Sequence, residues 1–172
     1  MMKTIKGPLR HFAFSTNPGR KYTVWSTNYG TLRDCMLLDV YTGDMDGGEQ
    51  RQPIESWVTE LTKAIENDEY TPSGLGATLT DESCLTFSED NKHVTIQPNG
   101  RVLAVTDGGH RTTALERLRN NASYTKLVDK LPVDVMIMLD TSRRKKDFLN
   151  LNKGKPVNST HMRRLRIDIG ET

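Results

Sequence analysis

Cysteines, aromatic side chains and long apolar runs are all scarce in this chain. Two of its 172 residues are cysteines and 6% are aromatic. Cys35 and Cys84 stand far apart with no metal-ligand spacing, so neither a thiolate metal site nor a disulfide framework is expected, and the thiols read as reduced. No stretch approaches the ~18 apolar residues that a membrane helix needs. The N-terminal MMKTIKGPLRHF lacks the apolar centre of a secretion signal. Together these absences lead us to expect a cytoplasmic protein without membrane contact. The G-x-x-x-x-G-K-[ST] spacing of a Walker loop is absent as well, and no internal repeat or low-complexity segment occurs.

What is present is a charged, globular composition, 35% hydrophobic and 27% charged, long enough for one domain with its own core. Charge is unevenly spread. Residues 1–110 carry 10 basic and 15 acidic side chains, whereas residues 111–172 carry 14 basic and 7 acidic. The excess gathers in Arg143-Arg144-Lys145-Lys146 and in Arg163, Arg164 and Arg166. Two such clusters point to an anionic partner, nucleic acid or polyphosphate, although a solvated helix face accounts for either one alone.

Periodicity gives a coarse layout. Residues 1–34 read as an irregular extension or an edge hairpin, and residues 35–172 as one domain. A strand is expected over 35–41. Pro53 opens a helix whose Ile54, Trp57, Val58, Leu61, Ala64 and Ile65 form one apolar stripe. A short strand is expected near Leu85–Phe87. Alternating segments on either side of Pro98-Asn99-Gly100 read as a hairpin. VDVMIMLD, residues 133–140, alternates at period two. Thr141 or Ser142 is positioned to cap a helix running through Phe148 to Leu151, and Ser159 or Thr160 a final one. The order describes an α+β domain, a small mixed sheet packed with helices.

The densest chemistry lies in TDGGHRTTALERL, residues 106–118. A strand, two glycines and a helix beginning near Arg111 form a geometry that can hold phosphate. Bare backbone turns sharply, and the helix start presents unpaired N–H groups and partial positive charge. Arg111 adds a fork of donors, Thr112 and Thr113 add hydroxyls, and Asp107 can orient Arg111 or hold a metal through water. His110 can bond phosphate or carry a proton. Each feature also has a structural reading: Gly108 and Gly109 as a turn, His110 as a hydrogen-bonding strut, Thr112 as a cap.

Asp107-Gly108-Gly109-His110-Arg111, followed by Thr-Thr-Ala-Leu, resembles the signature of the DGQHR-domain proteins of the ParB/sulfiredoxin-like superfamily, which include DndB/DpdB-type DNA-modification accessory proteins. Gln50-Arg51 before the first long helix resembles the family's upstream arginine. Phe148, Asn152, Lys153, Lys155, Pro156, Val157 and Ser159 resemble its downstream segment, so the likeness spans roughly residues 35–165. Gly109 stands where the family has glutamine. It also stands where sulfiredoxins have their nucleophilic cysteine, which speaks against sulfinic-acid repair.

The resemblance implies a compact ParB/sulfiredoxin-like domain that binds ATP or CTP, with Mg2+ as a companion. The nucleotide would lie on Arg51, Gly108, Gly109, Arg111, Thr112, Thr113, Asn152 and Lys153, with any metal near Asp107 and Glu49. Asp107, His110 and Arg111 would carry NTP hydrolysis. Implied partners are DNA, gripped by the two basic clusters, a DNA-modification enzyme, or a second copy of the chain. The implied setting is DNA modification, restriction or phage defence. The alternatives are a non-catalytic DNA-binding transcriptional regulator and a ParB-like nuclease.

Overall fold

A computed structural model describes residues 2–12, 20–38, 53–151 and 166–170. Its strands are β1 (Ile5–Pro8), β2 (Arg10–Phe12), β3 (Arg20–Asn28), β4 (Met36–Leu37), β5 (Leu75–Leu79), β6 (Leu85–Phe87), β7 (His93–Ile96), β8 (Leu103–Asp107) and β9 (Pro132–Met138). The helices are α1 (Tyr29–Leu32), α2 (Glu55–Glu66), α3 (Gly109–Arg119), α4 (Thr125–Asp129) and α5 (Arg144–Leu151). Mixed strands and helices in this order form an α+β fold. No helix among the described residues is long and apolar enough to cross a membrane.

The strands divide into two sheets. Six form a mixed sheet in the order β2-β3-β9-β5-β8-β4, and three form an antiparallel sheet in the order β1-β7-β6. β9 sits inside the larger sheet, antiparallel to β3 and parallel to β5. Its alternation supplies the reason: Val133, Val135 and Ile137 are buried on one face while Asp134 and Met136 are exposed on the other. β1 crosses close to β3 at Gly7, where an added Cβ would lie 2.2 Å from Thr23 Oγ1. A bare backbone at that point lets the small sheet lean on the large one.

One face of the large sheet carries the main core, where Leu75, Ala77, Leu79, Leu103, Val135 and Ile137 meet Leu115 and Leu118 of α3. Alternate strand residues face opposite ways, so Thr78 points to the other side. There its hydroxyl donates to Asp147 Oδ2 of α5 at 2.9 Å. Phe148 and Leu149 of α5 form a second, smaller cluster with Ile169. α5 thus lies on the face opposite the main core, fastened by Asp147, which also accepts two bonds from Arg20 of β3.

Two local expectations change. The segments on either side of Asn99-Gly100 do not pair as a hairpin. β7 joins β1 and β6, whereas β8 lies between β5 and β4. Leu103 to Val105 are all buried, which requires neighbours on both edges and cover on both faces, and a hairpin partner supplies neither. The cap before α5 is Asp140, which accepts from Ser142 N at 3.2 Å and starts a short 3-10 turn over Thr141–Arg143. Ser159 and Thr160 lie outside the described residues, as do residues 39–41 of the expected first strand.

Candidate functional site

The motif occupies the junction where β8 delivers the chain into α3. Gly108 caps the helix with φ +99, a left-handed conformation that only glycine adopts without strain. A Cβ at this position would lie 2.2 Å from Leu75 Cδ2 and 3.1 Å from Arg111 Nη2. The absent side chain is therefore required by both backbone sign and packing. α3 itself begins at Gly109, two residues earlier than the apolar pattern suggested.

Arg111 folds back across the turn. Its Nη1 donates to Gly74 O at 2.7 Å and Ser73 O at 2.8 Å, and it also bonds Ser73 Oγ. Nη2 faces Asp107 Oδ2 at 3.5 Å, and the Arg111 side chain is 17% exposed. The guanidinium fork therefore ties residues 73–74 to the start of α3. His110 is tied as well, because Nε2 accepts a bond from Ile54 N at 3.0 Å. Its ring centroid lies 5.0 Å from that of Trp57 at a 45° tilt. Thr112 and Thr113 donate back to Gly109 O at 3.0 and 2.8 Å, and Thr112 is buried. Asp107, Gly108, Gly109, His110, Arg111, Thr112 and Thr113 are thus brought together, and the bonds described draw α3 onto the 73–74 loop and onto α2.

The next turn of α3 carries a network with no motif to announce it. Tyr29, fully buried in α1, donates to Glu116 Oε2 at 3.0 Å. Arg33 grips the same carboxylate with Nε at 3.1 Å and Nη2 at 2.6 Å. The Arg33 bonds hold the Glu116 carboxyl below the usual carboxylate range. Burial, then the Glu116 charge, push the Tyr29 phenol up. These residues border a cleft of about 440 Å³ with Arg101, Thr113 and Arg117 on its walls. Its signal in sequence was weak, since the partners stand 83 and 87 residues apart.

The first basic run falls at the turn into α5. Arg143, Arg144, Lys145 and Lys146 line a cleft of about 620 Å³ with Thr80, Thr141 and Ser142. Lys145 Nζ pairs with Asp168 Oδ2 at 2.8 Å. Arg143 Nε is buried and lacks a hydrogen-bond partner among the described residues. Arg166, from the second run, is exposed at the start of the last described turn. Arg51, Glu49, Asn152, Lys153, Arg163 and Arg164 lie outside the described residues. Among those described, no group of three or more His, Cys, Asp or Glu is arranged to hold a metal ion.

The motif sits at the Gly76–Asp107 end of the β5–β8 pair, and the basic cleft lies beyond Leu79 at the other end. The model of the DndB family, described as DNA-sulfur modification-associated, covers residues 14–162. The chain belongs to the DndB family. This match is to the DNA-modification side of the motif's resemblance and associates the chain with DNA sulfur modification. No curated protein and no solved structure matches it. The match takes in the motif, the first basic run and every element from β3 through α5, while β1 and β2 precede it.

Proposed function

We propose that this chain is a DNA-holding accessory protein of DNA sulfur modification, gripping the phosphate backbone in the cleft at the start of α5. The observation that carries this reading is the lining of that cleft by four consecutive basic residues, of which Lys145 also pairs with Asp168 on its wall. Lysine and arginine donors on phosphate position a protein on nucleic acid without reading sequence. The sulfur chemistry would then belong to a partner enzyme. Fluorescence anisotropy of the full chain with a labelled duplex, repeated across a salt series, tests it. Binding should weaken steeply with salt, and Lys145→Gln/Lys146→Gln should flatten the log–log slope by about 2. An unchanged slope and affinity would overturn the reading.

A nucleotide at the start of α3 is the second reading. Its support is the left-handed Gly108 that opens α3 at the end of β8, beside the Asp107–Arg111 pair. The fit is by backbone: first-turn amides lack intrahelical acceptors, while Arg111 serves as a strut for the turn. His110 would have to release Ile54 N before its Nε2 could take a proton, so binding is favoured over hydrolysis. Thermal shift with ATP, CTP and GTP, each with and without magnesium, tests this. A ligand at 100 times its Kd should contribute about 2.7 kcal/mol. No shift with any of them at millimolar concentration would remove the reading.

A further inference from the structure

The cleft at α5 neighbours a second one of different chemistry. Arg143 lines both. The second, of about 520 Å³, has Leu85, Phe87 and Leu139 as apolar wall, with Arg20 and Lys21 at its edge. Phe87 ends β6, an edge strand of the small sheet, and is 38% exposed. Lys21 Nζ stands 5.2 Å from the centre of its ring. Across the two clefts, Arg20, Lys21 and the four residues of the basic run face Glu82, Asp140 and Asp168. The balance is positive, although Arg20 is largely spent on Asp147.

We propose that these two neighbouring clefts together bind single-stranded DNA, with phosphates along the Arg143–Lys146 run and one unpaired base against Phe87. The proposal rests on the DNA-holding reading above and adds the form of DNA that fits. Backbone-tracking charge combined with an exposed aromatic is the usual chemistry of strand binding, because every base offers a face to stack on. A cleft of this volume falls in the range that takes a small molecule. A base within a duplex is stacked on both faces and cannot enter it, whereas an unpaired one can. Lys21 Nζ lies over one face of the ring, so a base stacks on that face once Lys21 swings aside to pair with the strand's phosphate. Arg143, with its buried Nε unsatisfied, lines both clefts.

The test uses the full chain with a labelled 12-nucleotide oligothymidine and a labelled 12-base-pair duplex, measured by anisotropy at one low salt concentration. The native chain should favour the single strand. Phe87→Ala should weaken oligothymidine binding at least about fivefold while leaving the duplex within twofold. The retained duplex affinity reports intact folding. Phe87→Trp should restore single-strand binding, and Lys145→Gln/Lys146→Gln should weaken both forms. If Phe87→Ala binds oligothymidine like the native chain, the base site is overturned and the DNA-holding reading stands. If the native chain binds neither form, both fall.

Discussion

Gly108 and Arg111 constrain one another, and that pairing decides what single substitutions at the motif do. Residue 108 sits at φ +99 with Leu75 and Arg111 filling the space a side chain would need. Alanine there adds left-handed strain, about 1–2 kcal/mol, and a clash in a packed site worth about 1–3 kcal/mol. Gly108→Ala should therefore lose at least about 2 kcal/mol in urea unfolding. A loss below about 0.5 kcal/mol would mean the turn tolerates a side chain. At this scale the sequence was informative about which residues matter and silent about where they point. The acid, glycines, histidine and arginine do converge, but Arg111's acceptors lie 37 and 38 residues upstream. A loop carbonyl leaves no compositional trace, so an arginine built to bond backbone reads the same as one built to bond phosphate.

Between elements, the motif fastens α3 to α2. His110 accepts from Ile54 N at the residue that caps α2, and Trp57 lies against the imidazole. Seven residues along α3, Arg117 makes a two-pronged bond to Glu55 at 2.6 and 3.0 Å. Accepting at Nε2 requires that nitrogen to be unprotonated, which places the ring proton on Nδ1. His110→Ala should leave the Ile54 amide without this acceptor, and its hydrogen exchange should accelerate relative to the middle of α2. Amide exchange read by NMR checks this, and an unchanged Ile54 rate would show that another group holds it. Element boundaries were legible where one face is buried and the other wet, as in β9. In α2 the apolar stripe marked them, although of that stripe only Val58 is buried while Ile54 and Trp57 are exposed. The Asn99-Gly100 turn misled because turn chemistry specifies a reversal but not the sheet that each arm joins. That choice belongs to burial, and β8, buried from Leu103 to Thr106, takes the place between β5 and β4.

For the whole molecule, chain-distant arginine–carboxylate pairs link the parts. Arg20 of β3 joins Asp147 of α5, Arg33 joins Glu116 of α3, and Arg119 joins Asp129 at the end of α4. Sequence conveyed the total charge and its asymmetry, but the pairing of one arginine with one acid appears only after folding. The consequence is a defined acid response. Glu116 is held below its ordinary value by Arg33, and Glu55 by Arg117. A carboxyl lowered in the folded state contributes stability above its unfolded value, roughly 4.3, and loses it as pH falls through the folded value. The melting temperature should therefore hold nearly level from pH 7 to about 5 and drop below about 4. Glu116 is 38% exposed, so solvent screening keeps its share modest. Glu116→Gln tests that share directly. It should lower the melting temperature at pH 7, because Arg33 and the Tyr29 hydroxyl lose a charged acceptor. It should also shrink the further fall between pH 5 and pH 3, since the amide has no proton to gain. Differential scanning fluorimetry across that range distinguishes the outcomes. Parallel curves for native and variant chains would show that Glu116 titrates alike in the folded and unfolded states and that the Arg33 grip adds no pH-dependent stability.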